Sequence, residues 1–310
     1  MGISVYHPIM SKNRLVDASL YTDQGQVRDH NEDYIGSCEP QSAENETDHG
    51  WLFIVADGVG GAEAGEVASE LACDNTIEHY IANPFKENLG ERLRDAMQMA
   101  NTDLRRYVTD NGNRRMATTM VAVAIQNEDA YFVNVGDSRG YLWRKGDFRQ
   151  ITKDHSLVAR LVEEGAITEE EAETHPRKNV ILYSLGSEKT PQIDIFPMSL
   201  KKGDLILLCS DGLTRHVKDD ELADIISKYG TEKATHVLID LANKRGGLDN
   251  ISAAVIQYNG RNDGRKTAVS PLQTDTPSPS PSTNRQTGRL LVALILLVAI
   301  ADIIAWFFIK

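Results

Sequence analysis

Cysteine is scarce in this chain, and its few thiols lie far apart. The 310 residues include 3 Cys, namely Cys38, Cys73 and Cys209. An odd number of widely separated thiols provides neither the paired framework of a small secreted domain nor the close thiol pair of a zinc site. The sequence therefore argues against both classes and favours a reducing, cytoplasmic compartment.

Positive charge is also in short supply. Lys and Arg number 33 against 45 Asp and Glu, which gives a formal net charge of -12. Such a surface is repelled by the phosphates of nucleic acids and by anionic lipid head groups. We therefore expect no nucleic-acid partner, and any membrane contact has to come from something other than a basic surface.

Long apolar runs are missing except at residues 290–309, LLVALILLVAIADIIAWFFI, where Asp302 is the single charged residue. About 20 apolar residues in a helix cross a hydrocarbon core of roughly 30 Å, so this run predicts one C-terminal transmembrane helix. Arg285 and Arg289 precede it and Lys310 follows it, which predicts a single-pass protein of the cell (inner) membrane with its N-terminal domain in the cytoplasm. Whether Asp302 pairs with a partner helix, reaches an interface or is simply tolerated stays open.

Residues 259–288 separate this run from the rest of the chain. They are rich in Pro, Ser, Thr and charge, include TPSPSPS, and show no hydrophobic periodicity. This composition predicts a disordered linker, extended where proline alternates. The folded domain is therefore expected within residues 14–258.

That domain mixes β-rich runs with amphipathic segments. Strands are predicted at residues 51–56, 119–125, 130–135, 140–143, 205–209 and 251–258, and helices at 64–81, 90–108, 220–228 and 232–243. The strands between residues 119 and 143 are joined too closely for helical crossovers, which favours antiparallel pairing. We expect stacked antiparallel sheets covered by helices.

Several acidic residues fall where a predicted strand ends or a turn begins. The segments are VRDHNED with Arg28, Glu32 and Asp33; VADGVGG with Asp57 and Gly58; VGDSRG with Asp137; LLCSDGL with Asp211; and GLDNIS with Asp249. Each Asp-Gly pair alone is typical of an ordinary turn. Taken together, many carboxylates with few matching cations suit magnesium or manganese better than zinc.

The order VRDHNED, ADGVGG, ATT, VGDSRG, DHS, SDGL and GLDNIS resembles the bacterial form of the type 2C (PPM-type) metal-dependent protein serine/threonine phosphatases. The resemblance covers nearly all of residues 14–258. It implies an α+β fold, a four-layer α-β-β-α sandwich of two antiparallel sheets flanked by helices. It also implies hydrolysis of phosphoserine and phosphothreonine in proteins by a water activated by two Mg²⁺ or Mn²⁺ ions.

The resemblance also implies roles for individual residues. Asp57 would bridge both metals and Gly58 would lend its carbonyl, while Asp211 and Asp249 would hold one ion. Glu32 and Asp33 would serve the other ion directly or through water, and which of them touches it stays open. Asp137 would join Asp211 in binding a third, weaker ion. Arg28 would grip the substrate phosphate, as a planar guanidinium suits.

Some positions depart from the family or leave a choice. Val59 stands where many eukaryotic relatives have a candidate general acid, His, and Ala117 stands where Gly is frequent. His155 in KDHSL is interpreted as opening a helix near Ser156 rather than as a replacement acid. Residues 156–186 correspond to a variable flap, and its acidic run EEGAITEEEAE is expected to be a solvated helical face.

Two rival functions are carried forward. Cys209 and Arg215 lie six positions apart, as in the phosphate loop of cysteine-dependent phosphatases, although Asp211 within that loop would repel phosphate. The second rival is a catalytically weak phosphoprotein-binding scaffold on the same fold. For the phosphatase, the tether further suggests substrates at the membrane, including a transmembrane serine/threonine kinase.

Overall fold

A computed structural model describes residues 5–9, 15–60, 63–83, 88–111 and 116–260. The predicted transmembrane helix, at residues 290–309, and nearly all of the predicted linker, at 259–288, lie outside these ranges. Within them, no helix has both the length and the apolar character that a membrane crossing requires.

The described chain alternates strands with helices. The strands are β1 (Val5–Ile9), β2 (Val16–Asp23), β3 (Asp33–Cys38), β4 (Trp51–Val59), β5 (Ala117–Gln126), β6 (Asp129–Val135), β7 (Arg139–Arg144), β8 (Asp147–Gln150), β9 (Asp194–Ser199), β10 (Leu205–Cys209) and β11 (Ile251–Tyr258). The helices are α1 (Ala43–Asp48), α2 (Glu63–Ala82), α3 (Leu89–Asp110), α4 (Leu157–Glu163), α5 (Glu169–Thr174), α6 (Asp211–Thr214), α7 (Asp219–Lys228) and α8 (Thr231–Lys244).

The strands form two sheets in which every pairing is antiparallel. The first sheet has the order β1-β2-β11-β10-β7-β8, and the second has the order β3-β4-β5-β6-β9. The first six residues of β4, Trp51 to Ala56, are all apolar because both faces of the strand are buried. Because successive side chains point to opposite faces, Phe53 and Val55 enter the core between the sheets while Leu52 and Ile54 face the helices.

Helices cover the outer face of each sheet. On the second sheet, α2 and α3 bury a stripe that includes Leu93, Met97 and Leu104. On the first sheet, α7 and α8 bury a separate cluster that includes Leu238 and Ile239. The predicted α+β fold of two antiparallel sheets flanked by helices is therefore confirmed.

All six predicted strands and all four predicted helices are present, and β10 and β11 have the predicted limits. The structure adds elements that the sequence did not indicate, including β1 ahead of residue 14, the short α6 and the edge strand β9. β9 carries Pro197, which cannot donate to a sheet and so is tolerated at an edge.

Candidate active site

Carboxylates from both sheets meet where strand ends and loops adjoin. Asp33 on β3 is the direct cross-strand partner of Asp57 on β4. From the other sheet, Asp211 begins α6 immediately after β10, and Asp249 lies two residues before β11. Asp137 lies in the connection between β6 and β7. Each of the other four is close enough to raise the pKa of Asp57 through its charge.

Asp33 links the two sheets through a hydroxyl group. Ser210 Oγ donates to Asp33 Oδ2 over 2.7 Å and accepts from the backbone N–H of Ser252 over 3.0 Å. Ser210 follows β10 and Ser252 lies on β11, whereas Asp33 belongs to the opposite sheet. These hydrogen bonds fix Oδ2 of Asp33, whereas Oδ1 takes no part in them.

Among the residues that the structure describes, three acidic side chains have a buried oxygen with no hydrogen-bond partner. These atoms are Glu32 Oε1, Asp33 Oδ1 and Asp137 Oδ1. A buried carboxylate oxygen that lacks a partner is costly, and a hard divalent cation satisfies such an oxygen directly. The donor set is all oxygen, so it fits magnesium or manganese better than zinc.

Burial and mutual repulsion disfavour ionisation throughout this cluster. Burial first, and then the charges of Asp211 and Asp249, raise the pKa of Asp33 to about 7. Burial and the charge of Asp211 likewise raise the pKa of Asp137 to about 7. The pKa of Asp57 is raised well above its ordinary value by burial first and then by its acidic neighbours. A bound cation would reverse this balance by favouring the charged forms.

Burial also raises the pKa values of Glu32 and Asp211, and an arginine opposes each increase. Arg28 lowers the pKa of Glu32, while Arg215 lowers that of Asp211. Within the described residues, no three His, Cys, Asp or Glu side chains are already arranged to coordinate one metal ion.

Two arginines hold Asp249 from opposite sides. Arg28 Nη2 lies 2.7 Å from Asp249 Oδ1, and Arg215 Nη1 lies 2.8 Å from Asp249 Oδ2. Arg28 is also 3.9 Å from Glu32, and Arg215 makes a second ion pair with Asp211. Arg28 was predicted to lie at this site, whereas Arg215 was considered only as the partner of Cys209. The spacing of four residues from Asp211 to Arg215 was the available signal.

Glycine and asparagine fix the loop that carries Arg28 and Glu32. The backbone N–H of Gly58 donates to Glu32 O over 3.0 Å, and a Cβ atom at Gly58 would come within 2.2 Å of Gly65 O. Asn250 Oδ1 accepts from the N–H of Glu32 over 2.9 Å, while Asn250 Nδ2 donates to the carbonyls of Gln24 and His30. No function was assigned to Asn250 from the sequence, although it belongs to the GLDNIS segment.

His155 is buried and fully engaged by hydrogen bonds. The N–H of Gly136 donates to His155 Nδ1 over 3.2 Å, so the proton of a neutral ring lies on Nε2, which is 3.1 Å from Asp194 Oδ2. Ser156 is the N-cap of α4 and accepts from the N–H of Ala159. The interpretation of KDHSL as a helix start is confirmed, and the ring contacts the turn before Asp137.

Cys209 has neither the exposure nor the lowered thiol pKa that a nucleophilic cysteine needs. It lies on β10 with no exposed surface, and burial raises the pKa of its thiol. A reactive cysteine is partly exposed and has a lowered pKa. Arg215, its proposed partner in a phosphate loop, is bound to Asp211 and Asp249. The cysteine-dependent rival is therefore wrong.

The predicted flap contains α4 and α5, neither of which has a buried residue. α5 begins with a capping box in which Thr168 accepts from the N–H of Glu171 and Glu171 accepts from that of Thr168. The acidic side chains Glu169, Glu170 and Glu171 are exposed. The prediction of a solvated acidic helix is confirmed, and Glu173 joins this flap to the start of α7 by an ion pair with Lys218.

Known proteins share both the sequence and the fold. The sequence model of the family described as Protein phosphatase 2C matches residues 27–245. The serine/threonine phosphatase stp of Listeria welshimeri is 39% identical over 253 residues, or 80% of this chain and 98% of that protein. The protein phosphatase PhpP of Streptococcus pneumoniae is 35% identical over 247 residues, or 79% and 98%. The chain therefore belongs to the protein phosphatase 2C family.

Solved structures give the same result. The serine/threonine phosphatase PstP/Ppp of Mycobacterium tuberculosis aligns with a TM-score of 0.70 at 34% identity, over 79% of this chain and 99% of that one. A catalytic domain of PstP in complex with 2 manganese ions aligns with a TM-score of 0.67 at 33% identity, over 78% and 97%. The predicted enzyme class is confirmed as a metal-dependent protein serine/threonine phosphatase that uses Mg²⁺ or Mn²⁺.

Proposed function

We propose that this phosphatase hydrolyses phosphoserine and phosphothreonine in proteins with two Mg²⁺ or Mn²⁺ ions. Asp57, the carbonyl of Gly58, Asp211 and Asp249 would hold them together with the pair Glu32 and Asp33. The observation that carries the proposal is the set of buried carboxylate oxygens without partners, on groups whose pKa values are raised. When bound, the ions activate a water molecule for in-line attack on phosphorus and offset charge on the phosphoryl oxygens.

The two acidic residues that precede or begin β3 each have one oxygen available for a metal. Asp33 commits Oδ2 to Ser210 and leaves Oδ1 without a hydrogen bond. Glu32 has Oε2 3.9 Å from Arg28 and leaves Oε1 without a partner. We propose that each contributes that single oxygen, either to an ion or to a water molecule on it. The unpartnered Oδ1 of Asp137 supports its proposed place, with Asp211, at a third, weaker ion.

Arg28 has the exposure and the chemistry of a substrate-binding residue. Its side chain is 45% exposed, and its guanidinium reaches the carboxylate cluster through Asp249. A planar guanidinium with several N–H donors suits two oxygens of a phosphate group. We propose that Arg28 exchanges its contact with Asp249 for the phosphate of the substrate, which orients the phosphorylated side chain over the ions.

The location of the enzyme is a separate part of the proposal. We propose that residues 290–309 form a single membrane-spanning helix, that residues 259–288 are a flexible tether, and that the catalytic domain acts at the cytoplasmic face. The supporting observations are the apolar run and the arginines that precede it. A tether confines the enzyme to a thin layer beside the bilayer, which favours membrane-bound substrates such as a transmembrane serine/threonine kinase.

The decisive experiment follows phosphate release from a phosphothreonine peptide in chelator and after addition of Mn²⁺ or Mg²⁺. We expect no measurable release in chelator and full recovery after metal is restored. A non-catalytic phosphoprotein scaffold would bind the peptide without releasing phosphate under any of these conditions. Release that persists in chelator would instead contradict the metal mechanism.

A further inference from the structure

Arg215 joins Asp211 and Asp249, the two residues that are proposed to hold the same metal ion. Its Nη1 lies 2.8 Å from Asp249 Oδ2, and its Nη2 forms an ion pair with Asp211. Asp211 begins α6 and Arg215 follows that helix directly, so the short helix places the guanidinium back over its own first residue. One side chain thus contacts Asp211 at the start of α6 and Asp249 in the loop before β11.

The contacts of Asp249 leave little room for another cation. Arg215 bonds to one of its oxygens and Arg28 to the other, which also accepts the backbone N–H of Asn250. The side chain of Asp249 is only 13% exposed, compared with 34% for that of Arg215. A divalent ion that binds Asp249 and Asp211 has to compete with guanidinium groups for these oxygens.

We propose that Arg215 is a built-in competitor of the divalent ion, so that metal binding at Asp211 and Asp249 proceeds by exchange of an arginine for a metal. The proposal rests on the proposed function, since it requires that these two residues are metal ligands. Before metal binds, Arg215 offsets the repulsion between two nearby carboxylates. After exchange, its guanidinium is displaced from both residues toward the solvent. Arg215 therefore stabilises the enzyme without metal and weakens the affinity for the ion.

This arrangement has a thermodynamic consequence that an ordinary structural ion pair lacks. Two cations that compete for the same ligands are negatively coupled, and each weakens the binding of the other by the same factor. Removing Arg215 should destabilise the protein only when metal is absent. A purely structural arginine would stabilise both forms of the protein to a similar degree.

The test is a calorimetric titration of the full chain with Mn²⁺ after treatment with chelator and dialysis. R215M keeps most of the length of the side chain and removes the charge, whereas R215K keeps a charge that cannot reach both carboxylates in a fork. We expect R215M to bind Mn²⁺ on the order of tenfold more tightly than the wild type, with R215K between them. The matched control is R245M, because Arg245 is similarly exposed at 38% and pairs with Glu221 outside the site.

Thermal unfolding of the same variants provides a second readout that does not depend on activity. We expect R215M to unfold at a lower temperature than the wild type in chelator and at an equal or higher temperature in saturating Mn²⁺. R245M, which removes the same amount of charge and the ion pair with Glu221, should shift the unfolding temperature by the same amount in chelator and in Mn²⁺.

The possible outcomes separate the inference from the function on which it rests. If the wild type binds no Mn²⁺, the proposed metal site itself is wrong. If the wild type binds Mn²⁺ and R215M binds it no more tightly than R245M does, only the role of Arg215 is overturned. Equal destabilisation of R215M with and without metal would also overturn it, because Arg215 would then be a structural residue.

Discussion

Asp33 and Asp57 lie directly opposite each other on β3 and β4. Like charges at such a position destabilise a sheet, and burial adds to the cost of ionising them. The pKa of Asp57 is raised by burial first and by the charge of Asp33 next. The pair therefore lowers the stability of the fold and creates a site that attracts a cation. Such a pair is explained by function and not by stability.

The first prediction concerns the loss of stability that the buried acidic group of Asp57 causes. Asp57→Asn should reduce phosphate release by more than about 100-fold, since it removes a proposed metal ligand. In chelator the variant should unfold at the same temperature as the wild type or higher, because a buried group whose ionisation is disfavoured is replaced by a neutral group of the same shape. Peptide turnover and thermal unfolding measure the two effects. Asp211→Asn should behave similarly in turnover.

Asp240→Asn is the control for these substitutions, since Asp240 is exposed on α8 and lies outside the cluster. It should leave both turnover and unfolding temperature unchanged. Turnover near the wild-type rate in Asp57→Asn would mean that the site is wrongly assigned.

The second prediction is a dependence of stability on pH. The pKa of Asp137 is about 7 in the folded protein, above its ordinary value of 3.8. A carboxyl group whose pKa is raised by folding stabilises the protein below its unfolded pKa, and this contribution is lost as the pH rises through the folded pKa. In chelator, the unfolding temperature of Asp137→Asn relative to the wild type should therefore increase between about pH 4 and pH 8.

Taking the difference between variant and wild type removes the contributions of titrating groups that Asp137 does not influence. It leaves those of Asp137 and of Asp57, whose pKa the charge of Asp137 raises. Saturating Mn²⁺ should reduce or reverse the difference at pH 8, because the cation favours the charged wild-type side chain. A difference that stays constant across this pH range would show that Asp137 ionises as freely in the folded protein as in the unfolded one.

The third prediction distinguishes a structural role of His155 from a role in proton transfer. His155→Gln should lower the free energy of unfolding by about 1 to 3 kcal/mol, because a buried hydrogen-bond partner of Gly136 or Asp194 is lost. It should also raise the Mn²⁺ concentration needed for half-maximal activity, since the turn that carries Asp137 loosens. The shape of the dependence of kcat on pH should be unchanged. Loss of the alkaline limb of that profile would instead identify His155 as the general acid.

The fourth prediction concerns the inert thiol. Cys209→Ala should retain phosphatase turnover and cost on the order of 1 kcal/mol of stability, because a small buried group is removed from a packed strand. Thiol alkylation of the native wild type should likewise leave its rate unchanged. A loss of turnover in folded Cys209→Ala would revive the cysteine mechanism.

The sequence predicted those parts of the fold that have a strong local pattern. The first six residues of β4 and all of β10 are continuous apolar runs, and α3 has a clear helical stripe. β3, with the sequence DYIGSC, has no such pattern and forms because it pairs with β4. The opposition of Asp33 and Asp57 could not be predicted for that reason, since it depends on the register of an unpredicted strand.

The same distinction applies to the site. The acidic residues were found because each belongs to a recognisable segment beside a strand. The contacts of Asn250 depend instead on how the start of β11 approaches a loop more than 200 residues earlier in the chain. The contact of Arg215 with Asp249 likewise joins α6 to a loop that follows α8. Such long-range contacts follow from the topology of the two sheets and have no counterpart in local sequence.

The fifth prediction addresses the proposed membrane anchor. Deleting residues 290–310 should move the enzyme from the membrane fraction to the soluble fraction and leave kcat/KM on a small phosphopeptide unchanged, because the proposed ligands all lie between residues 32 and 249. Dephosphorylation of membrane-bound substrates in cells should become slower, since the tether no longer raises their encounter frequency. Replacing the deleted residues with an unrelated single-spanning helix should restore it, because the proposal requires attachment rather than a particular helix sequence. If the truncated enzyme dephosphorylates every cellular substrate as fast as the full chain, confinement to the membrane does not contribute to substrate choice. If only the native helix restores the rate, Asp302 or another residue of the helix has a specific partner.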